Sequence, residues 1–380
     1  MKIATFDDWV DLFRAWQKEI GYDSKLLGDY RFEAKLGETP PEIEFGDYRG
    51  RLKWERLTEI PDQRIQDSLL HLIVYQGDTE FASVEQQKQL VDSAPSDYDL
   101  RSLVKVNREE MRHGVQMCYL LVNYFGSAGL VEARKLLVRR AGKDRLLSAF
   151  NLPVNRWLDF FCYTQFMDRD GKYQLTMLSH SAFAPLARSM GPMLKEEFYH
   201  LLTGNTGLQR IVKAGKIPVP IIQKYFNKWV PPCYDLFGTD HSSTAHWAYV
   251  WGIKGRYDEV TNQEPAAKET LNELSRSLYR QELQGLTTVL NNLIPEGETK
   301  LFISDEKFHR ELGAFAGKPY SVTGELLGEA EYARHLAEVL PSPDDERILE
   351  GIFKERDWII PVAESSHAAA GSGQKRGEGR

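Results

Sequence analysis

The alternation of apolar and polar positions divides the chain into long helical stretches separated by punctuated loops. Asp7 to Ile20 reads as an amphipathic helix, and Pro40, Pro41, Gly46 and Gly50 then mark a loop-rich connection. Pro61-Asp62 opens a long helical pattern with apolar Ile65, Leu69, Leu72 and Ile73. It extends through Val84 to Leu90, against the weak helix propensity of Gly77 and Thr79. Pro95-Ser96 breaks the chain, and a second helix is expected from about Tyr98 to Phe125, ended by Gly126 to Gly129. A basic, apolar helix follows from Arg134 to Arg145, with its charges on a solvated face. Asn155 to about Met167 is aromatic-rich and helical, and Asp170-Gly171 marks a break or a local distortion. Leu175 to Leu202 forms a fourth long helical stretch, where Pro185, Gly191 and Pro192 predict kinks. Residues 206 to about 260 read as helix with loops, and 262 to 290 as polar and helix-prone. After Pro295 the segments shorten, with strand character near Lys300 to Ile303. Ser365 to Arg380 is small, polar and basic, the composition of a disordered tail.

Two of these helices carry polar residues where their apolar stripes require core residues. The stripe Leu103, Val106, Met117, Leu121, Tyr124 passes through Glu110 and His113, while Arg108, Glu109 and Arg112 fall off it as solvated neighbours. The stripe Leu186, Met190, Met193 continues onto Glu197 and His200. Each pair has the form Glu-x-x-His, a spacing that points both side chains to one face of a helix. Four buried polar groups are costly unless something satisfies them, and a metal does so. Glu-x-x-His on each of two helices, with one more carboxylate from each of two others, is the ligand set of a di-iron or di-manganese centre in a four-helix bundle. On the remaining helices the stripe favours Glu80 over Glu85, and Asp168 over Asp170. The expected set is therefore Glu80, Glu110 and His113 on one metal and Asp168, Glu197 and His200 on the other. Some carboxylates bridge, and which of them do so is open. Carboxylates with one imidazole per metal suit iron or manganese rather than copper or zinc. Gln76, one turn before Glu80, is a candidate partner for that ligand.

Composition narrows the picture. The net charge of -7 carries no basic excess that would point to nucleic acid. Cys118, Cys162 and Cys233 are odd in number and widely spaced, which argues against a disulfide framework and for a reducing cytoplasm. No signal peptide and no apolar run of membrane-spanning length is evident. A third copy, Glu306-Lys-Phe-His309, has His309 off the local stripe Phe308, Leu312, Phe315 and is read as surface. His71, His180, His241, His246 and His335 are expected to be satisfied polar residues, and Cys118 a small core residue. Phe160, Phe161, Tyr163, Phe166, Phe198 and Tyr199 wall an apolar slot or form ordinary core. The fold class is mainly α: an extension at 1–60, a metal-binding helical domain at 61–260, a C-terminal extension at 261–364 packed on the bundle, and the tail.

Several longer stretches resemble a known family. These are Gln76-Gly-Asp-Thr-Glu80, Ala82-Ser-Val-Glu-Gln-Gln87, Tyr98-Asp-Leu-Arg101, Val106-Asn107, Asp168-Arg-Asp-Gly-Lys172, Gln174-Leu175, Ser181-Ala-Phe183, Pro185-Leu-Ala-Arg188, Lys254-Gly-Arg256, Phe308-His-Arg310 and Glu329-Ala-Glu331. They are similar to the oxygenase components of the benzoyl-CoA 2,3-epoxidases, to about residue 345. The related phenylacetyl-CoA epoxidase catalytic subunits match more distantly, in the Glu-x-x-His helices and near Leu236-Phe-Gly238. The resemblance implies a ferritin-like di-iron monooxygenase, with two irons per chain on the six residues above. It implies epoxidation of the ring of benzoyl-CoA, or of phenylacetyl-CoA or another aryl-CoA, in aerobic aromatic catabolism. It also implies dioxygen as co-substrate and a separate flavin and iron-sulfur reductase that draws on NADPH. The chain has no flavin or NAD fingerprint to replace that reductase. The region after Tyr257 and the N-terminal part are shorter than in the benzoyl-CoA enzymes. Two other readings share the bundle: a storage or desaturase-like di-iron protein, and a non-catalytic subunit. The intact ligand types count against the second, and the chain's length against storage.

Overall fold

A computed structural model describes residues 4–22, 24–259, 271–355 and 357–362. The expected disordered tail, 365–380, lies outside the described residues. In chain order the helices are α1 (Phe6–Glu19), α2 (Ser24–Leu27), α3 (Gln63–Gln87), α4 (Asp97–Tyr124), α5 (Gly126–Val138), α6 (Trp157–Ser179), α7 (Ala184–Ala214), α8 (Val219–Leu236), α9 (Ser243–Val250), α10 (Asn272–Asn291), α11 (Glu329–Val339) and α12 (Pro343–Ile352). The described residues contain no multi-residue strand, only the isolated bridges Glu42–Leu52, Trp54–Phe183 and Tyr320–Leu326. Helix α3 packs along α4 and α6 along α7, giving a ferritin-like four-helix bundle whose one long crossover carries α5.

Local chemistry sets the ends of the bundle helices. Asp62 accepts the Arg64 backbone N–H at the start of α3 (2.8 Å), and the Ser96 hydroxyl accepts the Asp99 N–H at the start of α4 (3.2 Å). Helix α7 stops at Gly215, whose φ of 64° is the left-handed cap that glycine adopts cheaply. Two glycines inside helices are there for close packing. A Cβ on Gly77 would stand 2.8 Å from Leu136 Cδ1 and 3.1 Å from Met117 Cβ, so α3 runs unbroken through it against α4 and α5. A Cβ on Gly204 would stand 2.4 Å from the Gln165 nitrogen, so glycine allows α6 and α7 to meet one turn beyond His200.

Several sequence expectations are corrected. Leu175 to Leu202 is not one helix, because the chain turns at residues 180–183 between α6 and α7. That corner is held by Ala182 N–H to Gly252 O (2.7 Å), Trp54 N–H to Ala182 O (2.8 Å) and Ala184 N–H to Trp54 O (2.9 Å). Pro185 therefore sits in the first turn of α7, where a missing N–H costs nothing. Asp170-Gly171 makes no break, and α6 passes straight through it. Gly126 to Gly129 does not end a helix but begins α5, which stops at Val138, so Arg139 to Arg145 is not helical. The charges of the basic run Arg134 to Arg145 are solvated only in part: Arg134, Lys135 and Lys143 are exposed. Arg145 is buried, with its guanidinium 3.1 Å from Asp78 and 3.0 Å from Glu85. Lys300 to Ile303 forms no strand. Its backbone is paired by side-chain amides instead: Asn291 brackets Leu301 and Gln223 brackets Phe302.

The core lies in two apolar clusters. One joins the N-terminal half of α6 to α8, α10 and the C-terminal segment, and the other joins α1, α5 and the first turns of α7 to α3 and α4. Along α4 the seam between them falls after Val106 and before Met111, and along α7 after Met193 and before Leu208. Glu110 and Glu197 with His200 occupy that seam. Each fully buried large side chain on either side stabilises the fold by ~1.5–3 kcal/mol.

Candidate metal centre

The seam brings one polar layer together from the four bundle helices. Glu80 comes from α3, Glu110 and His113 from α4, Asp168 from α6, and Glu197 and His200 from α7, and all six are buried. Glu80, Glu110 and His113 each present a ligand atom within 4.8 Å of the other two, and Glu110, Glu197 and His200 do the same. Glu110 thus belongs to both groups. Glu197 also faces both histidines, one oxygen 3.4 Å from His113 Nδ1 and the other 3.4 Å from His200 Nδ1. Glu80 lies 3.4 Å from His113 Nδ1. Asp168 lies 3.7 Å from His200 Nδ1, outside the two tight groups but on the same inner face. The imidazole centroids are 5.9 Å apart.

The alternatives from the same helices point elsewhere. Glu85 accepts from the Trp16 indole (3.0 Å) and the Ala141 N–H (2.7 Å). Asp170 accepts from Gln174 (3.1 Å), and burial pushes its carboxyl up to about 7. Gln76 donates to Glu80 (2.5 Å). The third Glu-x-x-His stretch is a turn rather than a helix, so a helical stripe does not exist there. His309 is nevertheless exposed, with Nδ1 3.1 Å from the Tyr332 hydroxyl.

An outer layer holds the histidines, and it was missed in the sequence. His113 Nε2 lies 3.0 Å from Glu196 of α7, and His200 Nε2 lies 3.2 Å from Glu109 of α4. Each helix thus supplies the carboxylate that orients the other's histidine. Glu109 and Arg112, expected to be solvated, are buried, and the Arg112 Nε donates to Glu196 (2.6 Å). Burial pushes the Glu196 carboxyl up, but His113 and Arg112 outweigh it and hold the group well below the usual carboxylate range. A charged carboxylate only accepts, so His113 carries a proton on Nε2 toward Glu196, and its Nδ1 faces the inner layer. The signal was the doubled acid: the motifs read Glu109-Glu110-x-x-His113 and Glu196-Glu197-x-x-His200.

The inner layer is not self-sufficient. His113 Nδ1, His200 Nδ1, Asp168 Oδ2 and Glu197 Oε2 are buried without a hydrogen-bond partner. Burial, then repulsion from Glu80 and Asp168, pushes the Glu110 carboxyl well above its ordinary range. Burial likewise raises Asp168, helped by Glu197 and Glu80 and opposed by His200. Burial pushes the His200 imidazole down, but Glu197, Glu109 and Asp168 together hold it well above its ordinary value. Inward ring nitrogens without a hydrogen bond, crowded carboxylates and unpartnered oxygens are the features a bound cation relieves. The donor set, mostly oxygen with one nitrogen per group, suits two ions of the iron or manganese kind. The neighbouring Tyr163 hydroxyl is buried and unpartnered too, and burial together with the field of Asp168, Glu110 and Glu80 raises it far above a free phenol. Phe160, Phe161 and Phe166 are buried in α6, whereas Phe198 is 71% exposed and walls nothing. A separate cavity of ≈ 340 Å³, between α8, residues 148–155 and the C-terminal segment, includes none of the six residues.

Comparison with known proteins agrees with this architecture. Residues 55–274 match the family described as phenylacetic acid catabolic protein. The chain is 36% identical to benzoyl-CoA oxygenase component B of Aromatoleum evansii, over 89% of this chain and 82% of that protein. It is 25% identical to one subunit of the 1,2-phenylacetyl-CoA epoxidase of Escherichia coli (strain K12), over 40% of this chain and 48% of that one. The helices that bear the polar layer fall within the matched segment, and the chain belongs to the phenylacetic acid catabolic protein family.

Proposed function

We propose that the protein is a di-iron monooxygenase that epoxidises the aromatic ring of a CoA thioester, with benzoyl-CoA giving the 2,3-epoxide as the preferred reaction. The observation that carries this reading is the inner layer of six side chains with both histidine Nδ1 atoms turned inward and unpartnered. The long match to a benzoyl-CoA oxygenase component supports the ring-oxidising chemistry, and the shorter match to a phenylacetyl-CoA epoxidase supports the aryl-CoA class. In this assignment Glu80, Glu110, His113, Asp168, Glu197 and His200 hold two irons. Glu110 and Glu197 each face both halves of the site. When bound, the irons supply the dioxygen chemistry that places one oxygen atom on the ring and releases the other as water. The protein's own part is positional. Glu196 and Glu109 fix the two imidazoles, Gln76 fixes Glu80, and the buried rings of α6 exclude water. Electrons come from a separate reductase. Residues 61–260 form the metal-binding unit, with 1–60 and 261–364 as additions, and the protein works in the cytoplasm. Among the described residues no helix is long and apolar enough to cross a membrane.

The experiment is an assay with iron, a matched reductase, NADPH, dioxygen and competing aryl-CoA thioesters. Benzoyl-CoA is expected to show the higher kcat/KM. One methylene is worth only ~1–3 kcal/mol of discrimination, so phenylacetyl-CoA is a measurable competitor. Free benzoate is expected to be inert, since it lacks the remote binding energy of the CoA portion. Preference for phenylacetyl-CoA overturns the substrate assignment, and turnover of free benzoate removes the thioester requirement.

A further inference from the structure

We propose that the exposed face of α7 at Lys195, Phe198 and Leu202, with Lys105 of α4 beside it, is the docking surface for the electron donor, and that the reductase presents there an acidic surface around a one-electron iron–sulfur carrier. The inference rests on the reading of the chain as a metal oxygenase reduced by a partner. Phe198, the residue after Glu197, is 71% exposed, and Leu202, one turn further, is 45% exposed. Lys195 lies on the same exposed stripe, three residues before Phe198. Two large apolar side chains held in water on a rigid bundle helix mark a contact surface. On the adjacent helix the Lys105 ammonium stands 3.1 Å from the Tyr199 ring centroid and 3.4 Å from Glu109. Glu109 in turn meets His200 at 3.2 Å. A second, parallel chain runs from Lys35 to Glu196 (3.0 Å) and from Glu196 to His113 (3.0 Å). Both chains start at partly exposed lysines and end on the imidazoles of the inner layer.

The chemistry of the patch selects its occupant. An apolar centre flanked by exposed Lys195 on its own helix and by Lys105, held between Tyr199 and Glu109, complements an acidic partner surface and steers it electrostatically. A second copy of this chain is disfavoured, because a two-fold contact centred on Phe198 would set Lys195 close to its own mate. Electrons would cross singly: each transfer would oxidise one reduced iron–sulfur carrier by one electron and reduce the bound metal by one, with no covalent bond made or broken in the chain.

The test uses the metal-loaded full chain and, as probe, a dithionite-reduced plant-type [2Fe–2S] ferredoxin, an acidic one-electron carrier. Binding is measured by calorimetry at low salt, and reduction of the metal centre by stopped-flow. Reduction by dithionite with methyl viologen runs in parallel. The double variant Lys195→Glu/Phe198→Ser is expected to bind the ferredoxin ~10-fold or more weakly and to lose the salt dependence of ferredoxin-driven reduction. Mediator-driven reduction stays unchanged, and Val138→Ser, at an exposed position on α5, alters neither. Equal binding by wild type and double variant, or no binding by either, overturns the proposal. So does loss of mediator-driven reduction, a dimer that the double variant converts to monomer, or displacement of the ferredoxin by free CoA. Metal analysis is a separate readout: a wild type without metal defeats the oxygenase reading, while the binding comparison still decides the surface.

Discussion

Helix α3 buries acidic side chains on two faces, and the two faces are satisfied differently. On the face toward α5, Asp78 and Glu85 find donors for every oxygen: Arg145 and the Leu146 N–H for Asp78, Trp16 and the Ala141 N–H for Glu85. The chain itself satisfies both acids there, though Arg145 Nε is left without a hydrogen bond, and the cluster pins the turn after α5 to the bundle. On the face toward α6 and α7, Glu80 joins a layer in which two imidazole nitrogens and two carboxylate oxygens have no partner. Both faces bury charge, at a cost of several kcal/mol per ion before compensation. Only one is balanced by residues of the chain. Buried acids that are fully paired are structure, and buried acids left in excess around unpartnered ring nitrogens are a place for a cation from outside.

The comparison breaks most visibly at the inner layer. Changing Glu110 or His200 to Ala is expected to abolish turnover and to remove or weaken metal binding, from about two ions per chain in the wild type, while the helical circular dichroism remains. Zinc alone in the wild type, or full activity in either variant, would falsify the assignment. The outer cluster responds in the opposite way. Arg145→Met removes the nearest guanidinium from buried Asp78 and Glu85, leaving Arg139 at 3.5 Å and Arg140 at 3.6 Å, so the folded state is expected to lose up to ~3–5 kcal/mol in denaturant titration, with metal content per folded chain unchanged. A variant that loses metal without losing stability would erase the distinction between the two faces.

Between these extremes stand the carboxylates that orient the histidines. Glu196→Gln keeps the size of the side chain but replaces a charged acceptor of the His113 Nε2 proton with a neutral amide. Metal affinity is expected to fall ~10–100-fold, read by competition with a chelator, with the fold retained. Affinity equal to wild type would mean that His113 holds its tautomer without Glu196.

How much of this was legible follows from how helices bury their faces. Glu110, His113, Glu197 and His200 stand out in the sequence because charged and imidazole side chains interrupt otherwise apolar stripes. Glu109 and Arg112 did not, because the stripe argument assumes a helix with one wet side. The middle of α4 has none: residues 109–118 are all buried, enclosed by α1, α3, α5 and α7. The break between α6 and α7 was hidden for a related reason. Leu178, Ala182 and Leu186 keep helical spacing across Ser179-His180-Ser181, and the corner is made by backbone bonds to Trp54 and Gly252, both remote in sequence. Gly77 and Gly171 looked like helix weaknesses, yet their helices are decided by packing, which outweighs the ~1 kcal/mol propensity of one glycine. The strand expected near Lys300 fails because β-propensity needs a partner strand, and here Asn291 and Gln223 take that part.

The smallest effect is expected where the same four-residue spacing occurs without a buried setting. Glu306 and His309 repeat Glu-x-x-His, but they lie in a turn, and His309 has a φ of 49° that no helix contains. A helix would aim the two side chains together; this backbone sends the imidazole to the Tyr332 hydroxyl at the surface. No second acid or imidazole group joins them in the manner of the two groups at the bundle seam, among the described residues. The double variant Glu306→Ala/His309→Ala is therefore expected to keep its full metal content and turnover. Its stability changes by ~1 kcal/mol or less, the scale for one exposed hydrogen bond and a left-handed non-glycine residue. Metal analysis and an aryl-CoA assay on that variant check this directly. A metal count that fell by half would mean that the spacing, rather than the buried layer of unpartnered atoms, is what selects the ligands.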